Sequence, residues 1–342
     1  MVLTTRLDDP AGYGRIIRGG LGGITAIVED RDLTPEQRSI TEINTSTYCF
    51  DARSLFAHLQ RLENSNAQGE YYLTDMIAVL RAEGLAVGVL QAADATETLG
   101  INTRVQLAEA GRVLQQRINE RHMLAGVTMT DPGMVWIGPD VKLGRDVMIE
   151  PMTRLMGDTV IGDGSVLGPD TRITDSVIGA CCTVDSSIVT GCTLGDRVTV
   201  GPRAYLRPGT VMGADSKAGT SVEIKNSQIG DGSKVPHLSY IGDAEVGRGV
   251  NIGAGTITCN YDGVRKHRTV VRDGAFIGSD TMLVAPVEIG EGAFTGAGSA
   301  IAHDVPSRAL AVERTEQRTI EEWAARKRGG APDDGKGSEW RH

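Results

Sequence analysis

One histidine in the later half of the chain lies where it could act in proton transfer. His237 is the histidine that falls inside an unbroken run of the repeat described below, at residues 234–240. An unperturbed imidazole titrates near neutrality, so His237 is the candidate general base for a reaction at neutral pH. Glu223 could orient that imidazole, or it could pair with a nearby lysine. The alternative interpretation of His237 is a surface histidine with no chemical role.

Polar residues that interrupt an otherwise aliphatic pattern gather in the same part of the chain. They are Arg207, Glu223, Lys225, His237, Tyr240, Asn251, Asn260, Tyr261, Lys266 and Ser279. The three cations of this set could hold a phosphate by charge-assisted hydrogen bonds. The competing interpretation is that each is a solvated surface charge.

Neither the histidines nor the cysteines indicate a metal site. The six His are scattered, and no two have the spacing of zinc ligands. The five cysteines (Cys49, Cys181, Cys182, Cys192 and Cys259) also lack such spacing, and their odd number argues against a complete disulfide framework. A reducing cytoplasm is the simplest prediction.

The element that must position these residues is a repeat of six residues between Ile137 and Ile301. An aliphatic residue, often followed by Gly, recurs in runs. The clearest are 137, 143, 149, 155, 161, 167 and 173, then 194, 200, 206, 212, 218 and 224, and last 277, 283, 289, 295 and 301. A helix requires a period near 3.6 and a simple strand a period near 2, so neither fits. The repeat predicts a parallel β-helix with three faces and coils of about eighteen residues.

The repeat is interrupted once, between Asn260-Tyr261 and Ile277. The inserted residues 262–276 include Arg265, Lys266 and Arg268. Insertions in a β-helix project as loops, and such loops tend to carry function.

The preceding residues, 1–104, predict an α/β unit with strands at 24–28 and 47–50 and helices at 54–63 and 73–83. Residues 105–130 form a linker, in which Leu107, Ala110, Leu114, Ile118 and Ala125 fall on one face of a helix that Asp131-Pro132 ends. The β-helix domain spans 131–328 and includes a short helix at 317–328. Residues 329–342 predict a disordered tail.

Composition excludes several classes of function. The chain has 342 residues, a net charge of −9, 40% hydrophobic and 23% charged residues, as in ordinary globular proteins. The negative charge argues against nucleic acid as a partner. The first ten residues do not form a signal peptide, and no apolar stretch has the length of a membrane span.

Several long motifs together resemble one bacterial family. They are Asn251–Gly263, Tyr205–Gly209, Val222–Asn226, His237–Ala244 and Gly278–Thr281. In these segments the chain is similar to the bifunctional N-acetylglucosamine-1-phosphate uridylyltransferase/glucosamine-1-phosphate N-acetyltransferases. The similarity extends from Leu7 to about Arg328.

The resemblance implies a left-handed β-helix that forms a homotrimer and binds acetyl-CoA between neighbouring helices. His237 would deprotonate the amine of glucosamine-1-phosphate, with Glu223 and Asn260 orienting it and with Tyr261 and Ser279 stabilising the thioester oxyanion. The other positions that match the family are listed by role: Arg207, Lys225 and Lys266 for the sugar phosphate, Tyr240, Asn251 and Asn260 for the sugar, and Ala254, Asn260, Tyr261, Ser279, Ala297 and Arg314 for acetyl-CoA.

The first unit departs from the family pattern, in which a Gly-rich nucleotide loop opens a Rossmann-like domain and an Asp holds Mg²⁺. Neither feature is in this sequence, and residues 1–104 resemble the C-terminal part of that uridylyltransferase domain. A truncated gene or a misassigned start codon is therefore expected. By the resemblance, Gly14, Glu29, Asn44 and Asn102 would contact UDP-N-acetylglucosamine, and Asn102 would also be one Mg²⁺ ligand. We expect no UTP-dependent uridylyl transfer by this chain alone.

Three alternatives to this acetyltransferase remain. One is a catalytically silent trimeric scaffold. Another is that the complete protein is bifunctional and this sequence is short. The last is a hexapeptide-repeat acyltransferase that acts on serine or on a nucleotide sugar, since fold does not determine substrate.

Overall fold

The computed structural model describes residues 1–20 and 22–328. The predicted tail, 329–342, lies outside the described residues. The chain divides into two compact units, Met1–Arg117 and a second that starts at Ile118.

The first unit is built on a mixed five-stranded sheet with the order β3-β2-β4-β1-β5. The strands are β1 (Val2–Arg6), β2 (Arg15–Arg18), β3 (Ile24–Val28), β4 (Glu42–Tyr48) and β5 (Val89–Gln91). β1 runs parallel to β5, whereas the other neighbouring strands are antiparallel. Its apolar core joins Val2, Ile16, Ile24 and Ile27 of the sheet to Ile77 of a helix.

The helices of this unit are shorter than the sequence predicts. They are α1 (Ala52–His58) and α2 (Met76–Ala82), with single 3-10 turns at Asp30–Asp32, Gln37–Ser39, Leu59–Arg61, Leu73–Asp75 and Ala95–Thr98. α1 begins at Ala52 because the Asp51 carboxylate caps it by accepting from Ser54 N at 2.9 Å. The predicted strand at 47–50 is also displaced, since β4 begins at Glu42 and ends at Tyr48.

Helix α3 (Arg104–Leu124) confirms the predicted helix but not its predicted apolar face. Of the five residues assigned to that face, Ile118 is buried, whereas Leu107 and Leu114 are each 56% exposed. The helix instead buries a polar set, Gln115, Asn119 and His122. The Asn119 amide donates to the carbonyl oxygens of Pro132 and Val135 at 2.8 and 2.9 Å, which explains why an amide is buried here.

α3 ends at Leu124, before the predicted stop at Asp131-Pro132. Gly126 follows with φ +103°, a left-handed conformation that ends helices. Thr128 then pairs with Met148, so the solenoid has already begun, and Pro132–Met134 is a 3-10 turn within it.

The second unit is a parallel β-solenoid with three flat faces, which confirms the fold predicted from the six-residue period. We call the faces 1, 2 and 3 in the order in which the chain visits them in each coil. Face 1 comprises Thr128–Met129, Met148–Ile149, Val166–Leu167, Thr183–Val184, Thr199–Val200, Lys217–Thr220, Lys234–His237, Asn251–Ile252, Phe276–Ile277, Phe294–Thr295 and Leu310–Ala311.

Face 2 comprises Trp136–Ile137, Arg154–Met156, Arg172–Thr174, Ile188–Thr190, Tyr205–Leu206, Glu223–Lys225, Tyr240–Gly242, Ile257–Cys259, Met282–Val284 and Ala300–Ile301. Face 3 comprises Lys142–Leu143, Val160–Ile161, Val177–Ile178, Thr193–Leu194, Val211–Met212, Gln228–Ile229, Ala244–Val246, Thr269–Val271 and Val287–Ile289. A last helix, α4, spans Trp323–Arg328.

Aliphatic side chains on successive coils stack directly upon one another inside the solenoid. On face 2, Leu155, Ile173, Val189, Leu206 and Ile224 occupy matching positions and are all 0% exposed. Burial of a side chain of this size contributes about 1.5–3 kcal/mol. The column therefore stabilises the coils that carry the polar residues.

In three places the aliphatic repeat takes five residues in place of six, from Ile173 to Ile178, from Ile224 to Ile229 and from Ile241 to Val246. These shorter steps coincide with tight corners between faces 2 and 3. Asp175, Asn226 and Asp243 turn these corners with φ of 48°, 45° and 50°. Asn and Asp tolerate the left-handed region better than most residues. One missing residue is thus absorbed by one left-handed residue.

The inserted segment forms a short hairpin at the same corner. Tyr261 pairs with Lys266 in an antiparallel bridge. The Asp262 carboxylate accepts from the backbone N–H groups of Arg265 and Val264 and from the His267 ring at 2.6, 2.7 and 2.7 Å. These bonds lower the pKa of Asp262 and fix the loop that carries Lys266.

No helix among the described residues is long and apolar enough to span a bilayer.

Candidate active site

The three predicted phosphate ligands meet at the corner between faces 2 and 3. Arg207 and Lys225 leave face 2 on consecutive coils, because Leu206 and Ile224 are paired neighbours. The hairpin brings Lys266 beside Lys225, and this second ammonium, together with partial desolvation, lowers the pKa of Lys225. Neighbouring positive charges repel one another unless an anion is bound between them, so the corner is suited to an anionic ligand.

Face 2 supplies an outward-facing column that leads to these cations. Tyr205, Glu223, Tyr240 and Ile257 lie opposite one another on four consecutive coils. The Arg207 guanidinium donates to Glu223 at 2.8 Å and lies 5.9 Å from the centre of the Tyr205 ring. The His237 ring does not donate to the Glu223 carboxylate that was expected to orient it, and this carboxylate pairs with Arg207 instead.

Asn260 is held at this corner by the carboxylate of Asp243, which is not among the predicted site residues. Asn260 is 8% exposed, and its amide nitrogen donates to Asp243 Oδ2 at 2.6 Å. The other oxygen of Asp243 accepts from Asn226 at 2.6 Å. Burial alone would raise the pKa of Asp243, but the bonds from Asn226 and Asn260 and the charges of Lys225 and Lys266 outweigh burial and lower it.

Gly242 leaves the space in which Tyr240 and Asn260 approach each other. A Cβ atom on Gly242 would lie 2.4 Å from the Tyr240 hydroxyl and 2.7 Å from the Asn260 amide nitrogen. Gly242 and Asp243 both belong to the 237–244 motif. The motif itself was the signal that could have identified them, but only their contacts reveal what they do.

The remaining predicted residues lie at the opposite edge of face 2, on the corner with face 1. His237 ends a face 1 strand there and is exposed. Above it on later coils come Ala254, Ser279 and Ala297, joined by bonds from Asp280 N to Ala254 O (2.6 Å) and from Gly298 N to Ser279 O (2.9 Å). Arg314 continues this column by donating to the Ala297 carbonyl at 3.0 Å.

Within one chain, two of the predicted ligand-binding residues do not join the groups at either edge of face 2. Asn251 begins a face 1 strand opposite Lys234 and Phe276, so it lies around the corner from the cations. The Tyr261 hydroxyl bonds back to the carbonyl of Gly263 at 2.6 Å, and the residue is 60% exposed. Among the described residues, the His237 ring has no hydrogen-bond partner.

Face 2 is three residues wide, so its two edges are roughly 10 Å apart at about 3.3 Å per residue. Cations lie at one edge and a histidine at the other. The geometry suits a small molecule that carries an anionic group at one end and loses a proton at the other.

In the first unit, three of the four predicted sugar-nucleotide residues come together. The Gly14 carbonyl accepts from Asn44 N at 2.8 Å, and a Cβ on Gly14 would lie 3.3 Å from a Glu29 oxygen. Burial raises the pKa of Glu29, while a hydrogen bond from Thr74 opposes that rise. Asn102 is exposed in a separate loop, where its backbone N–H bonds to Gln106.

These residues do not form a metal site by themselves. Within residues 1–20 and 22–328, no group of three or more His, Cys, Asp or Glu side chains is arranged to hold a metal ion. The predicted ligand Asn102 has no such partner set.

Several known proteins are similar to this chain. The family "Bacterial transferase hexapeptide (six repeats)" matches residues 140–175. The bifunctional protein GlmU of Heliobacterium modesticaldum is 54% identical over 330 residues, 96% of this chain and 72% of that protein. GlmU of Mycobacterium bovis is 51% identical over 331 residues, 97% of this chain and 67% of that protein. The solved UDP-N-acetylglucosamine acyltransferase of Francisella novicida aligns at 13% identity and a TM-score of 0.36, covering 60% of this chain and 75% of the other.

Proposed function

The chain belongs to the family of bifunctional GlmU proteins, and from that premise we propose which residues act in its acetyl transfer from acetyl-CoA to glucosamine-1-phosphate. The observation that carries the proposal is the convergence of Arg207, Lys225 and Lys266 at one edge of face 2, with His237 at the other. The product, N-acetylglucosamine-1-phosphate, is a precursor of UDP-N-acetylglucosamine in cell-wall synthesis.

The cationic corner binds the phosphate of the acceptor. Two ammonium groups and a guanidinium lie within electrostatic reach of one another, and the doubly charged phosphate removes their repulsion. Tyr240 and Asn260 then contact the sugar ring along face 2. Asn251, which lies on face 1, completes the sugar site from a neighbouring chain.

His237 acts as the general base. It takes one proton from the 2-amino group while the amine nitrogen forms a bond to the acetyl carbonyl carbon. The carbon–sulfur bond then breaks, and the coenzyme A sulfur leaves with the proton that His237 returns. Because His237 is exposed and has no partner among the described residues, its ring is free to turn towards the acceptor.

Acetyl-CoA lies along the column at the corner of faces 1 and 2. Ala254 and Ala297 have small side chains that leave room for a ligand, and Arg314 at the top of the column supplies a positive charge. The Tyr261 backbone N–H and Ser279 donate to the oxygen of the tetrahedral intermediate.

The acetyltransferase is a homotrimer, with each site formed between neighbouring β-helices. Support comes from exposed apolar groups on face 1, where the Phe276 and Phe294 rings stack 5.4 Å apart and are 43% and 50% exposed. Such rings on one face favour contact with another chain. The five cysteines are free thiols, which favours a reducing cytoplasm.

Uridylyl transfer is not part of the activity proposed here for the described residues. That chemistry relies on cradled phosphates and a metal ion, and among the described residues no group of three or more His, Cys, Asp or Glu side chains is arranged to hold one. No step is therefore assigned to Mg²⁺.

The test is release of free coenzyme A from acetyl-CoA on addition of glucosamine-1-phosphate. We expect turnover in the wild type and a loss of about 100-fold or more in His237→Ala. His303→Ala is the matched control, since His303 is also an exposed solenoid histidine but follows the last face 2 strand, at the corner with face 3 and three coils after His237. A folded wild-type trimer without turnover would favour the silent scaffold.

A second experiment tests the site that binds the sugar phosphate. Replacing Arg207, Lys225 and Lys266 together by Ala should raise the KM for glucosamine-1-phosphate by at least about 100-fold, because three charge-assisted contacts are lost. The KM for acetyl-CoA should stay near its wild-type value. An unchanged KM for the sugar phosphate would refute the assignment.

A further inference from the structure

We propose that Asp243 is a positioning residue that sets the orientation of the Asn260 side chain, so that Asn260 presents its carbonyl oxygen to the acceptor site and keeps its amide nitrogen turned away. The inference rests on the proposed acetyl transfer and adds to it a residue without an assigned role. It concerns which end of one amide faces the substrate.

Both carboxylate oxygens of Asp243 are held by hydrogen bonds. Asn226, one coil before, donates to Oδ1 at 2.6 Å, and Asn260, on the next coil, donates to Oδ2 at 2.6 Å. The backbone of Asp243 is fixed as well, because its N–H donates to the Lys225 carbonyl at 3.0 Å and its φ is 50°. The carboxylate is therefore a rigid acceptor between two amides.

The charge of Asp243 decides which atom of Asn260 can face it. An ionised carboxylate has no proton to donate, so only the NH₂ end of the amide can approach it. Lys225 and Lys266 lie beside this carboxylate and favour its ionised form. The Tyr240 hydroxyl, 3.5 Å from the same nitrogen, lies on the same side.

The other end of the amide is consequently directed outwards. Asn260 Oδ1 accepts no hydrogen bond from the described residues. Oδ1 lacks a partner among these residues but is not a buried atom. It is therefore accessible to solvent, although the Asn260 residue as a whole is only 8% exposed. A fixed acceptor at the edge of the site is available to an N–H donor.

An acceptor of this kind has a specific use in acyl transfer to an amine. Asn260 contacts the sugar from the cation edge of face 2, and a fixed carbonyl oxygen that accepts an N–H or O–H of the sugar holds the amine in line with the acetyl carbonyl. An Asn260 in the reverse orientation would present NH₂, which cannot accept that bond, so the sugar would lose this placement. The orientation therefore affects the rate of the chemical step more than substrate binding.

The experiment compares kcat for coenzyme A release in the full chain as wild type, Asp243→Asn, Asn260→Asp and the double variant with both substitutions. In Asp243→Asn the new amide can donate, so Asn260 loses its single orientation, and kcat should fall about 10- to 100-fold. In Asn260→Asp two carboxylates face each other, and kcat should fall at least as far. The KM for acetyl-CoA should change little in either variant.

The double variant provides the decisive comparison. It exchanges the two groups, so that the amide now at position 243 donates to the carboxylate now at position 260. The second oxygen of that carboxylate again offers an acceptor to the site, so kcat should exceed that of each single variant by at least about fivefold. A purely structural role for Asp243 would move the melting temperature without producing this rescue. Asp163→Asn is the matched control, because it makes the same change at another solenoid corner, where the side chain accepts from the backbone N–H of Arg145, and it should leave kcat nearly unchanged.

Two results would overturn the inference. One is a kcat of Asp243→Asn within about twofold of the wild type, and the other is a double variant no faster than its singles. A wild type without turnover would instead refute the proposed function, and the positioning role with it. The wild-type rate therefore tests the proposed function, and the ratios of kcat between the variants test the positioning role of Asp243.

Discussion

At the scale of single residues, Gly242 should affect activity only because its missing side chain leaves room for Tyr240 and Asn260. In Gly242→Ala the new methyl would lie 2.4 Å from the Tyr240 hydroxyl and 2.7 Å from the Asn260 amide, so both must move. We expect kcat/KM for glucosamine-1-phosphate to fall by about 10- to 100-fold, since small misplacements of positioning groups carry such effects. Steady-state rates of coenzyme A release measure the change.

Gly138→Ala is the matched control for this substitution. Gly138 follows Ile137 on face 2 as Gly242 follows Ile241, but a Cβ there meets its nearest neighbours at 3.6 Å, which is ordinary contact. Equal losses in the two variants would show that any alanine in this coil position disturbs the solenoid, and would contradict a specific effect at the site.

The residue scale also shows where sequence reasoning ends. The cations could be predicted to act together because their residue type already suits a phosphate, and the structure brings Lys225 and Lys266 side by side. Glu223 could not be assigned in the same way, since its carboxylate suits a histidine or an arginine equally well. The contact with Arg207 at 2.8 Å depends on coil geometry that residue types do not encode.

At the scale of structural elements, four corners between faces 3 and 1 share one stabilising bond. In each, an Asp side chain accepts from a backbone N–H on the preceding coil: Asp163 from Arg145, Asp196 from Ala180, Asp231 from Ala214 and Asp273 from Arg248, at 2.8–2.9 Å. The residue before each donor is Gly, and a Cβ on it would lie within 2.6 Å of the carboxylate. Glycine at these corners thus allows each Asp carboxylate to lie close to the backbone of the preceding coil.

Asp231→Ala should lower the stability of the solenoid without affecting catalysis. Loss of the bond to Ala214 N, 2.9 Å long, should reduce the free energy of unfolding by about 1 kcal/mol. Thermal melting measures this, and kcat at low temperature should stay within about twofold. Asp140→Ala is the control, because Asp140 is an exposed corner carboxylate without a hydrogen bond among the described residues. Equal melting temperatures of the two variants would contradict the role of the corner bond.

Helix α3 should make stability depend on pH through His122. Burial, with Arg121 nearby, lowers the pKa of His122 below its usual value. The unfolded chain then binds a proton more readily than the folded one, so the contribution of neutral His122 is complete above about pH 6.5 and is lost as the pH falls through the folded pKa. Its Nε2 atom is buried without a partner, which leaves an added proton unsatisfied.

The measurement is the melting temperature from about pH 7.5 to 5.5. The wild type should lose stability on acidification, and His122→Gln should show a smaller loss over the same range, whatever its stability at neutral pH. His303→Ala should retain the wild-type slope, since His303 is exposed. Parallel curves for the wild type and His122→Gln would exclude His122 as the cause.

At the scale of the whole molecule, the period of six was sufficient to predict the solenoid because every coil obeys the same packing rule. The polar face of α3 obeys no such rule. Asn119, for example, is buried there because its amide donates to the carbonyl oxygens of Pro132 and Val135. A pattern of apolar residues therefore predicted Leu107 and Leu114 as buried, whereas both are exposed.

The two units should be separable without loss of the acetyltransferase. Each has a core of its own, the solenoid's from Ile118 to Val305 and the first unit's around Ile16, Ile27 and Ile77. Every residue proposed to act in acetyl transfer lies beyond Ile118. A fragment that starts at Thr103 keeps α3 whole and should release coenzyme A with a kcat within about threefold of the full chain. Circular dichroism and sedimentation would establish its folding and assembly, and the same fragment with His237→Ala should be inactive. A fragment that folds and assembles but has lost turnover would show that the first unit takes part in the reaction.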